Sequence, residues 1–428
     1  MINNAENVIL TKEVAEELDL NDPLAGLRDF FFFQGEKLYF DGNSLWRMPK
    51  DILARMEDFL REERWKRLVD GRDAWLNLGV QLWDSIGAYI LWAKQGETIV
   101  SDSVTINLYK LLWSLFLNET RTVVTHQGNF PTDKYICDSM QQLFEGWSSE
   151  RIEDAFMSGV TPEDMRKKLE ELWERGRWSV FLISHVDYRS WALTDMRAIN
   201  RIAHSAWAVV IRDLCHSAGV VPINFDDNEC DYAVGCTYKY LNAGPGGPAF
   251  VSVAERHIPT LKAIIPGRWS QRPDDQFAFH EHHRAAPDIR VLQTGTPSIL
   301  AMQPLISTLD IYKQTTIADI RLKSKMLTDF AQRLLIQELG DNDVEIITPT
   351  DGEQRGSHIS FTHQHAREIA VALRANNVIP DFRPPNIVRV WIAPLYTSYE
   401  DVFEFVERLK KIIRWEEYIG VVSESIVT

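Results

Sequence analysis

Cysteine is scarce. The 428-residue chain holds four, Cys137, Cys215, Cys230 and Cys236, and no two form a C-x-x-C pair. A chain of this length buries a core without disulfides, so the count excludes a disulfide framework and suggests a reducing compartment, the cytoplasm. Long apolar runs are also missing: none approaches the roughly 18 residues needed to cross a bilayer. The start, Met1-Ile-Asn-Asn-Ala-Glu-Asn7, lacks the basic and apolar stretches of a signal peptide. Secretion and membrane insertion are therefore not expected. Positive charge is in deficit, 46 Lys and Arg against 61 Asp and Glu for a net charge of −15, which argues against a surface that neutralises phosphate backbones. Neither nucleic acid nor membrane is an expected partner. Internal repeats and low-complexity segments are absent.

What the chain does have is alternation. Helical periodicity is readable over 12–19 and over 50–69, where Ile52, Leu53, Met56, Phe59, Leu60 and Leu68 recur at near-helical spacing, and Lys37 to Ser44 reads as a strand entering a Gly42-Asn43 turn. Helical stretches at 79–93, 107–116, 131–144, 161–174 and 195–206 then alternate with short apolar runs. Those runs are Thr122 to Thr125, Ser179 to Ser184, Trp207 to Arg212, Tyr232 to Cys236 and Ala249 to Val253. Such alternation predicts an α/β fold whose mostly parallel sheet is covered on both faces. Near residue 300 the pattern changes to a helical stretch, 299–338, broken near Lys313 to Thr316. An α+β tail follows, with strands at 343–347, 357–362 and 387–392 and helices at 365–375 and 399–415. The expected organisation is a large domain at 70–300 and a smaller domain built from 1–69 and 301–428.

In such a sheet, ligands bind beyond the carboxyl ends of the strands. Asp213-Leu-Cys-His216 follows one strand, Thr237-Tyr238-Lys239 another, Ser184 a third, and a fourth leads to Phe130-Pro-Thr-Asp133. A carboxylate and a lysine at neighbouring strand ends can be a plain ion pair. They are also what pyridoxal phosphate requires: a lysine for its aldehyde, a carboxylate to keep its ring nitrogen protonated, phosphate donors at a helix start and a stacking ring. Ser103-Val104-Thr105-Ile106-Asn107 offers the helix start and Phe130 the ring.

Here the motifs resemble a family. Asp41-Gly42-Asn43-Ser44-Leu45, Phe130-Pro-Thr-Asp133, Asp213-Leu-Cys-His216-Ser-Ala-Gly219, Gly235-Cys-Thr-Tyr-Lys-Tyr-Leu-Asn242 and Arg389 ahead of Pro394-Leu-Tyr396 together resemble kynureninase over about residues 38–412. The resemblance implies a pyridoxal phosphate fold type I enzyme of the aminotransferase class V kind, a cytoplasmic homodimer of amino-acid, specifically tryptophan, catabolism. Its hydrolysis cuts between Cβ and Cγ of an amino acid with a γ-carbonyl, as kynurenine gives anthranilate and alanine. It further implies that Lys239 holds the cofactor's aldehyde carbon as a Schiff base, that Asp213 partners the ring nitrogen with His216 beside it, and that Tyr238 serves phosphate and catalysis. Asp133 is then the second acidic contact, Phe130 the stacking ring and Ser184 a contact beside the cofactor. Val104, Thr105 and Thr296 cradle the phosphate, Thr296 from the other subunit. Arg389 clamps the substrate carboxylate, a task suited to a planar two-pronged donor, with Ser44 and Trp269 nearby.

The chain also departs from the family. Gly267-Arg268-Trp269-Ser270-Gln271 stands where the family reads Gly-Trp-Phe-Gly-His, so Arg268 takes the place of a phosphate-donating tryptophan; Trp46 and Trp83 are bulkier than the family's residues. These changes keep a second enzyme reading open: a diverged pyridoxal phosphate aminotransferase, lyase or decarboxylase acting on another amino acid. A cofactor-free scaffold is the alternative of another class. His280-Glu-His-His283 follows Phe277-Ala-Phe279 in a loop and is read as solvated, not as a metal site. Gly244-Pro-Gly-Gly247 is read as a tight turn, not a phosphate loop.

Overall fold

A run of side chains buried on both faces makes a central parallel strand, and the computed structural model bears this out for Trp178–Ser184, buried from Ser179 onward. The structure describes residues 9–42, 44–117, 121–143, 146–153, 159–175, 178–278, 280–340 and 343–421; Asn43, Phe279 and the end of the helix expected over 131–144 lie outside them. The strands are β1 (Leu38–Tyr39), β2 (Thr98–Val100), β3 (Arg121–His126), β4 (Ser148–Ile152), β5 (Trp178–Ser184), β6 (Val209–Asp213), β7 (Tyr232–Gly235) and β8 (Phe250–Val253), then β9 (Glu345–Ile346), β10 (His358–Thr362), β11 (Val378–Ile379), β12 (Asp381–Arg383) and β13 (Ile387–Trp391). The helices are α1 (Lys12–Leu20), α2 (Ile52–Asp58), α3 (Arg72–Ile86), α4 (Val104–Phe116), α5 (Pro131–Leu143), α6 (Pro162–Glu174), α7 (Met196–Ser205), α8 (Ile299–Tyr312), α9 (Ile317–Leu339), α10 (Ala366–Ala375) and α11 (Tyr399–Arg414).

Two units organise these elements. The larger takes Asp51–Tyr188 and Leu193–Ile317, and the smaller takes the residues up to Lys50, Arg189–Ala192 and those from Ala318 onward. The expected boundaries at 69/70 and 300/301 differ from these because α2 and α8 pack on one another within the larger unit. The larger unit holds a seven-stranded sheet of order β2-β8-β7-β6-β5-β3-β4, in which β8 alone runs against its neighbours. Local chemistry sets its helix starts: Ser103 caps α4, Asp195 caps α7, and Thr161 with Asp164 forms a capping box ahead of α6, with Pro162 in the first turn. The helix expected over 50–69 is α only as far as Asp58; wider π-type turns carry it to Arg67. The strand expected over 37–44 shortens to the two residues of β1.

The smaller unit joins both chain ends. Its antiparallel sheet has the order β12-β13-β10-β9, with Pro384-Pro385 in the turn between β12 and β13, and β1 pairs in parallel with β11. Leu10, Ala15 and Phe40 share its core with Leu334, Phe361, Leu373, Val390 and Phe405.

Candidate active site

The parallel register places the key groups side by side. Ser184 at the end of β5 stands abreast of Asp213 at the end of β6, and Asp213 abreast of Val234 on β7. Beyond β6 the chain turns at once: Asp213 Oδ1 accepts the N–H of Cys215 at 2.8 Å, which fixes the carboxylate and swings His216 back over the strand ends. Beyond β7 the chain crosses to Lys239, whose Nζ lies 2.9 Å from His216 Nε2 and 6.0 Å from the centre of the Phe130 ring. Lys239, Asp213 and His216 are all buried. Phe130 meets Tyr188 edge-on at 5.4 Å. Three residues on, Asp133 is 1% exposed, and its carboxyl is pushed well above the usual range by burial and by the charge of Asp213.

Two residues that sequence reading passed over hold this group in place. Asn129 Oδ1 accepts from Ser184 Oγ at 2.5 Å and from the N–H of Phe130 at 2.7 Å, while its amide donates to Thr125 Oγ1 at 2.8 Å, so one side chain ties β3, β5 and the stacking ring together. Its position directly before Phe130-Pro-Thr-Asp133 was the available signal. The Tyr312 hydroxyl lies 2.8 Å from the carbonyl of Gly219 and 3.0 Å from that of Tyr240, linking the turn after Asp213 to the turn after Lys239. Gly219 needs its glycine: φ is +99°, and a Cβ there would stand 2.6 Å from that hydroxyl.

The remaining expected site residues gather elsewhere. Val104 and Thr105 open α4, where first-turn N–H groups point out of the helix. Tyr238 is mostly buried, and the neighbouring Cys236 sulfur, then burial, push its hydroxyl up. Trp269 donates from Nε1 to Thr296 Oγ1 at 2.9 Å, joining two predicted residues within one chain, and Arg268 lies over the Phe277 ring at 5.2 Å. His280 pairs with Asp275 and His283 with Ser270. Gly244 and Gly246, at φ of +75° and +71°, form the tight turn. Trp83 is buried on α3.

In the smaller unit, Ser44 Oγ donates to Asp41 at 3.0 Å. Arg389, on β13, is 2% exposed and donates from Nε to Asp381 at 2.6 Å, with a second contact from its terminal nitrogen. Its guanidinium lies 5.4 Å from the ring of Trp191, which stacks on His358 at 3.6 Å and donates to Ser360 Oγ at 2.6 Å. Trp191 is another residue that sequence reading passed over; a tryptophan in a polar loop was its only signal. Trp46 packs edge-on against Trp391 at 6.0 Å and Tyr396 at 5.4 Å.

Comparison with known proteins gives consistent matches. Residues 320–409 match the model of the kynureninase C-terminal domain. The kynureninase of Burkholderia pseudomallei (strain 1106a) is 36% identical over 417 residues, 95% of this chain and 97% of that one. Among solved structures, the apo cysteine desulfurase of Thermococcus onnurineus NA1 has a TM-score of 0.77 at 16% identity, covering 91% of this chain and 98% of that one. A variant of C-DES with glycine covalently linked to its PLP cofactor has a TM-score of 0.78 at 17% identity, covering 90% and 98%.

Proposed function

The chain belongs to the kynureninase family, and from that premise we propose that it is a pyridoxal phosphate-dependent hydrolase that cleaves the Cβ–Cγ bond of kynurenine or a close relative. The observation that carries this reading is the buried cluster at the strand ends: Lys239 Nζ against His216, with Asp213 on the next strand and Asp133 adding a second carboxyl. Its residues fit the cofactor. Two neighbouring buried carboxyl groups, one of them driven toward its protonated form, make a place for a cation that Lys239 alone does not balance, and a protonated pyridine nitrogen is such a cation.

When bound, pyridoxal phosphate supplies a ring that takes up negative charge from the substrate's Cα. The chain supplies the rest. Asp213, fixed by the N–H of Cys215, would hold the ring nitrogen's proton, Asp133 would add the second carboxyl, and Phe130, braced by Tyr188 and Asn129, would serve as the stacking ring. The N–H groups of Val104 and Thr105, with Tyr238, Arg268 and Thr296, hold the phosphate; Ser184 and His216 line the cofactor's edge. Lys239 Nζ removes the Cα proton and returns it, with His216 Nε2 at 2.9 Å to exchange it. Arg389 binds the substrate carboxylate, pre-aimed by Asp381, with Ser44 and Trp269 as further substrate contacts. Family resemblance supports a homodimer with Thr296 reaching across, and a part in tryptophan catabolism in the cytoplasm.

The test is hydrolysis of kynurenine and 3-hydroxykynurenine by protein loaded with pyridoxal phosphate, followed by release of the anthranilate product. An efficiency of about 10⁴ M⁻¹s⁻¹ or more, within the ordinary enzyme range, supports the reading. Inactivity on both, together with a spectral response to another amino acid, favours the diverged enzyme suggested by Arg268 and Trp46.

A further inference from the structure

Two of the four cysteines flank the cluster. Asp213 stands abreast of Val234, the Leu214 N–H donates to the Val234 carbonyl at 2.8 Å, and Cys215 and Cys236 lie in the two turns that open just past the ends of β6 and β7. Adjacent parallel strands lie about 4.8 Å apart, inside the roughly 4.4–6.8 Å Cα separation that a disulfide spans, and the two turns start from that separation. The two turns are in contact: Cys236 Sγ lies 3.9 Å from the Cys215 carbonyl. Both are buried and unoxidised, Cys215 retaining 8% exposure.

We propose that Cys215 and Cys236 form a reversible disulfide that switches the site off under oxidising conditions. Cys236 stands three residues before Lys239, and Cys215 stands between Asp213 and His216, so the bond would draw together the two turns that carry the lysine and its partners. The chemistry starts at Cys236. Against the upward push of burial, the neighbouring Cys215 thiol and the charge of Lys239 bring its thiol down, toward the thiolate that reacts. With a hydroperoxide as oxidant, the Cys236 thiolate attacks the terminal oxygen and breaks the O–O bond; the released alkoxide takes a proton and leaves as alcohol, or as water from hydrogen peroxide. The resulting sulfenic acid is attacked by the Cys215 sulfur, and its hydroxyl leaves as water with the Cys215 proton. Two thiols are oxidised by two electrons, and one peroxide is reduced.

The effect on the site rests on the function proposed above, whereas the bond itself does not, and the assay separates them. Holoenzyme is treated with hydrogen peroxide, then denatured for thiol titration and peptide mass mapping. The expected result is a fall from four titratable thiols to two, with a Cys215–Cys236 linked peptide that dithiothreitol releases. Alongside it, borohydride fixation of the cofactor to Lys239 and turnover should each fall by at least about tenfold, and both should return on reduction. Cys236→Ala should keep its basal turnover and cofactor fixation and lose the sensitivity. An unchanged thiol count, or a linkage to Cys137 or Cys230, overturns the proposal. A mapped Cys215–Cys236 bond that leaves cofactor fixation unchanged overturns the switch, whichever substrate the enzyme takes.

Discussion

Replacing Tyr312 with phenylalanine removes one oxygen atom and tests whether the two turns of the site are held from below. The hydroxyl lies 2.8 Å from the Gly219 carbonyl and 3.0 Å from the Tyr240 carbonyl, in surroundings dry enough to push its pKa above the ordinary value. Phenylalanine keeps the ring and nearly the whole volume, so the cavity cost is small and the loss is that of hydrogen bonding. A hydroxyl has one proton, so one carbonyl loses a true bond and the other a favourable dipole. A buried acceptor left unpaired costs about 1–3 kcal/mol. At about 2–4 °C per kcal/mol for a unit of this size, the melting temperature should fall by at least about 2 °C. Part of that loss should reach the reaction, because the turns move Asp213, His216 and Lys239. If about half of it is felt in the transition state, turnover drops roughly two- to tenfold with KM little changed. Calorimetry of the holoenzyme and steady-state kinetics of Tyr312→Phe are the assays. A variant that melts within about 1 °C of the parent and turns over at the parent's rate would refute the reasoning.

Asp213→Asn should fold normally yet lose most turnover, since a neutral amide replaces a charge-assisted hydrogen bond of about twice the strength; circular dichroism and kinetics measured together would check both halves. Lys239→Ala should abolish borohydride fixation of the cofactor to the chain, and a mass spectrum still carrying the adduct would place the attachment elsewhere. Asp381→Asn takes away the carboxylate to which the buried Arg389 donates, so urea titration should register a loss of up to about 3–5 kcal/mol; a midpoint equal to the parent's would mean that the pair is not needed. For Asp133, the folded carboxyl is raised while the unfolded one titrates near about 3.9. The folded cofactor-free chain therefore holds this proton to higher pH. Its stabilising contribution is complete below the unfolded value and is lost as pH rises through the folded one. Asp133→Asn should flatten that decline in urea midpoint with pH, and superimposable profiles would count against the buried carboxyl pair.

Much of this was legible in the sequence because the central strands are buried on both faces and read as uninterrupted apolar runs. Ser148–Ile152 escaped notice for the opposite reason: as an edge strand rich in polar residues it shows neither an apolar run nor clean alternation. Thr98–Val100 is too short to show a period. The π-type turns over Phe59–Arg67 were invisible because charged residues at four-residue spacing, such as Glu62 with Lys66, look the same in an α-helix. Within the site, Lys239, Asp213 and Phe130 lie in contiguous motifs and could be named. Tyr312 could not: it reaches Gly219 across 93 positions, and nothing local marks a tyrosine on an apolar helix as a brace. Trp191 likewise takes its meaning from His358 and Ser360, more than 160 positions away.

The pairing of Leu38–Tyr39 with Val378–Ile379 also bears on synthesis. A ribosome that has finished β1 must add about 280 residues before Ala318 opens the stretch that completes its unit. At about 5–20 residues per second, that is a wait of roughly 15 to 55 s. Through it Leu10, Ala15 and Phe40 have no native core to enter, while the sheet around Lys239 can close in the meantime. The segment from Leu10 to Phe40 is thus made well before its partners and is among the last buried. Nascent chains should therefore be captured by holding chaperones through this segment, and its release should track emergence of β11 from the ribosome.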